Sequence, residues 1–421
     1  MDPSTATYEN DNGSKEAIIH DESKHLMDAR DEEPEILQKE LDESHLAEKA
    51  DAIRRACDLG DLDALVSYAR SDGGFLRDDL RQLAWPILLR CHQGRRDDNK
   101  DWNELQRHAD EDQVQLDVHR SFVYYPSGTD EELSKKKDEL SNVITKVLRN
   151  YPYLCYFQGY HDIVQVLLLV LGEKQAAPAV TQVSLFRIRD YMLPSLNPSL
   201  KHLQIIPAII ERADPGLRQH LSDVRPFFAL PATLTLYAHD IQEYSDIARL
   251  FDFLLAHEPV VPIYLFAAII LSRKKELLEI PVDEPEMLHF TLSKLPYPLN
   301  LDGLIQSAVK LFNDYPPESL PFGAWKQIPA CSVLKSSRHP FREQKAEDAI
   351  KLFDQQTRQL RNDELRKKAL GLLWAHRKAI GSVAVAVFVG AVSIWIRKKG
   401  LDAPIWSYIG NFKAAFQDRF F

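Results

Sequence analysis

From about Ala47 to Leu278 the sequence falls into segments of helical length, and almost nowhere does it alternate with the period of two that a half-buried strand requires. Asp78 to Arg90, Glu131 to Arg149, Pro207 to Arg212, Phe228 to Ala238, Ile247 to Ala256 and Pro262 to Leu278 are such segments, separated by prolines and by clusters of Asp, Asn and Gly. A chain patterned in this way buries its apolar surface by packing helix on helix, so the predicted fold class is all-α. Two further runs, Ile163 to Leu171 and Val260 to Leu271, are almost unbroken in apolar residues. Both are too short to cross a bilayer and the second contains Pro262, so both are expected as core helices.

With 421 residues, 45% of them hydrophobic, the chain can close a sizeable core. Its net charge of -10 is unevenly spread: the first 50 residues hold 15 Asp and Glu against 5 Lys and Arg, and the remainder is balanced. Residues 1–45, acidic and nearly free of aromatics, are expected to be disordered. The balanced remainder carries no basic footprint, so no nucleic-acid partner is expected. Cysteines at 57, 91, 155 and 331 are too scattered for a zinc site or a disulfide framework, and reduced thiols are expected. The N-terminus lacks the basic and apolar regions of a secretory signal and is expected to stay in the cytosol.

One stretch stands apart. Ala379 to Ile396 (AIGSVAVAVFVGAVSIWI) runs for 18 residues without a charge. As a helix it would cover about 27 Å of a hydrocarbon core roughly 30 Å thick. His376, Arg377 and Lys378 precede it, Arg397, Lys398 and Lys399 follow it, and Trp395 stands at an interface position. A buried core helix is the competing reading, but basic clusters at both ends suit lipid headgroups better than a protein interior. The expectation is a C-terminal transmembrane helix over 379–396, as in a tail-anchored protein, contacting membrane lipid. Residues 301–375 then read as a charged helical extension or linker, and 397–421 as a short tail, luminal or lying along the membrane surface.

Conventional catalytic patterns do not appear: there is no G-x-S-x-G, Walker A loop, H-E-x-x-H or dinucleotide fingerprint. His161 and Asp162 invite comparison with a catalytic dyad, but neighbours on a helix point about 100° apart and are not expected to face each other. Asp162 is expected instead to cap the start of a helix, where a carboxylate suits backbone amides and the dipole.

Three stretches together carry a family resemblance. LRDDLRQLAWPILL, Leu76 to Leu89, contains Arg81 and Trp85 in an Arg-x-x-x-Trp pattern; VQLDVHR, Val114 to Arg120, matches I-x-x-D-x-x-R; YFQ, Tyr156 to Gln158, matches Y-x-Q. Further on, FFALPATLTLY and IARLFDFLLAHEP, the latter with Asp252, continue the likeness over roughly residues 60–300. In this order the set resembles the TBC-domain GTPase-activating proteins for Rab GTPases, which gives a TBC domain over about 46–300. The resemblance implies a partner, a Rab GTPase in its GTP-bound state, and a mechanism in trans. Arg120 would be the arginine finger that reaches the phosphates, and Gln158 the glutamine finger that positions the attacking water. The residue types suit those tasks, because a guanidinium offers a permanent charge and five donors, and a primary amide can both accept and donate.

Supporting roles follow on the same resemblance. Asp117 would orient the guanidinium or fix the local turn, Tyr156 would brace the loop that presents Gln158, and Gly159 would permit an unusual backbone path. The alternation from Gln113 to Val118 looks strand-like, and the family reading makes it an irregular connector between helices. Magnesium and GTP would be bound by the Rab, leaving this chain with no cofactor of its own and no self-contained hydrolase site.

Two stretches depart from the family pattern. Gly159, Tyr160 and His161 stand where G-M-N is usual, and Pro231 and Ala232 occupy about the place of a later tryptophan. Neither change removes a finger, and both bear on which Rab is recognised. YFQGYHD together with a C-terminal span is closest to an endoplasmic-reticulum-anchored branch of the family acting on Rabs of early secretory traffic. That implies a single-pass endoplasmic reticulum membrane protein with its TBC domain in the cytosol. The rival reading is a catalytically silent TBC scaffold, which would have no need of Arg120 and Gln158.

Overall fold

The computed structural model describes residues 43–91, 102–338 and 344–375, together with residues 388, 390–395 and 398. Among these residues there is no strand. In chain order the helices are α1 (residues 43–59), α2 (Leu62–Arg70), α3 (Asp78–Leu88), α4 (Glu111–His119), α5 (Asp130–Asn150) and α6 (Tyr160–Phe186). They continue as α7 (Asn197–Leu203), α8 (Ile205–Ala213), α9 (Pro215–His220), α10 (Leu230–Leu234), α11 (Tyr244–Leu255) and α12 (Val261–Ser272). The last are α13 (Lys274–Glu279), α14 (Pro285–Leu292), α15 (Leu301–Asp314), α16 (Val333–Ser336) and α17 (Ala346–Ala375). The all-α expectation is met.

Two helices form the centre. Every residue of α12 from Val261 to Ile270 is buried, as befits a helix that is apolar all round, and it is packed by α8 and α15. Helix α6 is packed by α3, α4, α5 and α11. It is long and apolar enough to cross a membrane, yet it is mostly buried inside the domain and is broken at Gly172, whose φ of 71° and ψ of 163° are not helical. Its place is the core, as its apolar run predicts.

Two sequence readings change here. The strand-like stretch around Gln113 is neither strand nor irregular connector but the regular helix α4, with Val114, Asp117 and Val118 on its buried face and Leu116 exposed. Helix α15, assigned in sequence to the charged extension, lies against α12 with Leu301, Leu304, Ile305, Ala308 and Leu311 buried. The Tyr264 hydroxyl donates to the Tyr315 carbonyl at 2.7 Å at the end of that contact.

The chain divides into two compact units, the first reaching Asp354 and the second beginning at Gln355. In the second, residues 361–372 of α17 are exposed throughout. Nearly all of the acidic segment 1–45, most of the apolar run 379–396 and nearly all of the tail 397–421 lie outside the described residues; residues 388 and 390–395 of the run are helical.

Arg81, Trp85 and Asp252 are structural. Asp252 is fully buried on α11 and accepts from Arg81 Nε at 3.0 Å, Trp85 Nε1 at 2.8 Å and the Phe75 amide at 3.0 Å. Arg81 also reaches Asp78 at 2.9 Å, and Asp78 accepts from the Tyr244 hydroxyl at 2.6 Å. The pattern on α3 therefore locks that helix to α11. Because Asp252→Ala removes the buried carboxylate facing Arg81, leaving it only the partly exposed Asp78, and leaves the Trp85 and Phe75 donors unpaired in the interior, it is expected to cost about 3–5 kcal/mol. Chemical denaturation checks this, and a change below about 1 kcal/mol, the worth of an exposed ion pair, would contradict it.

Candidate functional site

The residues singled out in sequence meet at one open-mouthed cavity. It holds about 460 Å³ and is bordered by the end of α4, the Tyr156–Gly159 turn and the region of α10. Arg120 and Gln158 both line it, as do Asp117 and Gly159.

Helix α4 ends at Arg120, which is its C-cap residue. One turn back, Asp117 is buried, and its Oδ1 accepts from Arg120 Nη2 at 2.6 Å and Gln113 Nε2 at 3.1 Å. The Arg120 side chain remains 64% exposed. A guanidinium has five donors, so a tether through Nη2 fixes its base while leaving donors for a phosphate.

The same carboxylate holds the glutamine loop. Tyr156 donates its hydroxyl to Asp117 Oδ2 at 2.9 Å, and its backbone amide donates to Asp110 Oδ2 at 2.9 Å. Burial, reinforced by Asp117, pushes the Tyr156 phenol far above its ordinary range, so at neutral pH it is a donor. Tyr156 thus does more than brace the loop: it fastens the loop carrying Gln158 to the carboxylate that holds Arg120. Gln158 itself is exposed in the turn before α6.

Gly159 is the N-cap of α6 with φ of 99°. A Cβ at this position would lie 2.5 Å from Thr235 Cγ2, so both the backbone angle and the space require glycine. Gly159→Ala is expected to cost about 1–3 kcal/mol through strain and to displace Gln158. Urea unfolding reads the first effect, and an unchanged midpoint would contradict the close approach of this turn to Thr235.

Sequence reasoning missed two members of the site. His161 and Asp162 do meet, with Nε2 3.2 Å from Oδ1, contrary to the expectation for adjacent helical positions. Both side chains lie in the first turn of α6 and line the cavity. Asp162 does not cap the helix; its Oδ2 pairs with His239 Nδ1 at 3.0 Å. His161 Nδ1 lies 3.1 Å from the Tyr156 hydroxyl. Burial lowers the His161 pKa, against the upward pull of Asp162 and Asp117. The available signal was the departure from the family pattern at this position. Among the described residues, no group of three or more His, Cys, Asp or Glu side chains is placed to hold a metal ion.

Comparison with known proteins bears on what such a site does. The Rab-GTPase-TBC domain pattern matches residues 78–278. The GTPase-activating protein gyp10 of Schizosaccharomyces pombe is 33% identical over 310 residues, covering 72% of this chain and 82% of that protein. The chain belongs to the Rab-GTPase-TBC family. TBC1 domain family member 20 of Homo sapiens is 35% identical to this TBC protein over 320 residues, covering 75% of this chain and 76% of its own length. A crystal structure of the Ypt/Rab-GAP domain of Gyp1p superposes with a TM-score of 0.48 at 14% identity, covering 61% of this chain and 94% of that one. Rab GTPases are the partner class of the TBC family, whose members act as their GTPase activators.

Proposed function

We propose that this TBC protein accelerates GTP hydrolysis on a Rab GTPase by placing Arg120 and Gln158 together into the Rab's nucleotide site. One observation carries the reading: a single buried carboxylate, Asp117, holds Arg120 and, through Tyr156, the loop of Gln158, so the two fingers are presented as a pair. A GTPase alone hydrolyses slowly because its transition-state charge is incompletely met and its water is poorly oriented. The guanidinium supplies the charge and the amide orients the water. Magnesium and the nucleotide belong to the GTP-bound Rab, and no step requires a nucleophile or cofactor from this chain.

The substrate is a Rab of early secretory traffic, and the protein is held in the endoplasmic reticulum membrane by one span over 379–396, with the TBC domain in the cytosol. The resemblance of YFQGYHD and the C-terminal apolar run to an anchored branch of the family supports this half of the reading. The test is a hydrolysis screen of the protein against a panel of GTP-loaded Rabs. Strong stimulation of an early secretory Rab is expected; binding without stimulation would mark the protein as a silent scaffold.

Anchoring has its own expected result. A charge at the centre of a membrane helix costs about 2.5–3.5 kcal/mol, so Val387→Asp with Val389→Arg should release the protein from membranes that resist carbonate extraction while stimulation in solution persists. A wild type that washes off in carbonate would contradict the span.

A further inference from the structure

His161 joins the two halves of the finger network. Its Nδ1 lies 3.1 Å from the Tyr156 hydroxyl and 3.9 Å from Asp117 Oδ2, and its Nε2 lies 3.2 Å from Asp162 Oδ1. Asp162 is gripped in turn by His239 at 3.0 Å. A continuous path therefore runs from Arg120 through Asp117, Tyr156, His161 and Asp162 to His239.

The protons in this path can be counted. Tyr156 has one to give, an ionised carboxylate only accepts, and a neutral imidazole carries a single N–H. With that proton on Nδ1, His161 donates to Tyr156 and Tyr156 donates to Asp117, but the Nε2 lone pair then faces the Asp162 carboxylate. With the proton on Nε2, Asp162 is satisfied; Tyr156 turns its proton to Nδ1, and Asp117 loses a donor. Only the imidazolium completes all three bonds together.

We infer that His161 is a positioning residue for the arginine finger, acting through Tyr156 and Asp117, and that the proton count of its ring sets how firmly Arg120 is held. The inference rests on Arg120 being the finger. The groups facing the ring are Asp117 and Arg120 from α4 and its end, Tyr156 from the loop, Asp162 from its own helix, and His239 from the turn after α10, with Asp240 beside His239. Burial lowers the ring's pKa, as do His239 and Arg120, whereas Asp162 and Asp117 raise it, and the balance falls below the ordinary value. The complete network therefore belongs to the acidic side of neutrality.

The test uses the full chain with isotopically labelled His and Arg side-chain nitrogens. The Arg120 guanidinium resonance is expected to shift with pH at the His161 midpoint, and to lose that shift in His161→Gln, which keeps a donor and an acceptor but cannot gain a proton. His161→Asn, the family's usual residue at this place, serves as a second variant should the glutamine disturb folding. Stimulated hydrolysis, corrected for the intrinsic rate of the same Rab, should rise about fivefold to tenfold from above to below that midpoint, the worth of one net hydrogen bond. The profile should be flat in both variants. An Arg120 resonance indifferent to the His161 titration would overturn the inference whatever the hydrolysis assay gives. Coupled resonances with no responding Rab would uphold the link between His161 and Arg120 and overturn the finger reading instead.

Discussion

Arg120→Lys is expected to remove nearly all stimulation of Rab hydrolysis, a loss on the order of 10³ to 10⁵ in rate, or about 4–7 kcal/mol of barrier. Lysine keeps the charge but not the planar fork that spans phosphate oxygens while staying bound to a carboxylate. The fold should survive, because the Arg120 side chain is 64% exposed and Asp117 retains Gln113 and Tyr156 as donors. Helical circular dichroism and the unfolding midpoint are therefore expected to match the wild type. Wild-type stimulation by the purified variant would show that the charge is supplied from elsewhere.

Gln158→Ala is expected to lower the stimulated rate by roughly 10² to 10³, the usual loss when one preorganised polar group at a transition state is deleted. The side chain is exposed in its turn, so the change leaves no buried partner unsatisfied and stability should hold. The loss should appear in kcat rather than KM, since positioning a water matters in the transition state and not in docking. A variant that loses affinity at unchanged kcat would reduce Gln158 to a docking contact.

The core was legible where a helix is apolar on all sides. The runs that became α6 and α12 left no alternative to burial, and the polar turns between them marked the joints. Helix α4 was not legible, for a specific reason: Val114, Leu116 and Val118 alternate like a strand, but burial selects Val114 and Val118, one helical turn apart, and leaves Leu116 62% exposed. Helix α15 was not legible as core because in sequence it is grouped with the charged stretch that begins near residue 343, although its leucines repeat at helical spacing.

At the site, the motif pattern named Arg120, Gln158, Asp117, Tyr156 and Gly159, and the fold brings all five around one cavity or onto its supporting carboxylate. The pairing of Asp162 with His239 spans 77 residues of sequence, and no local pattern announces it. The contact between His161 and Asp162 joins neighbours that helical spacing alone sets about 100° apart, so periodicity could not announce it.

In the proposed mechanism this chain brings its own water-positioning amide to the partner. A Rab whose catalytic-site glutamine has been replaced tests it most directly. Single-turnover GTP hydrolysis by that Rab should still be stimulated strongly by the wild-type protein and hardly at all by Gln158→Ala, since only the amide supplied in trans can replace the missing one. A substituted Rab that ignores the wild-type protein, while the unsubstituted Rab responds to it, would contradict the account.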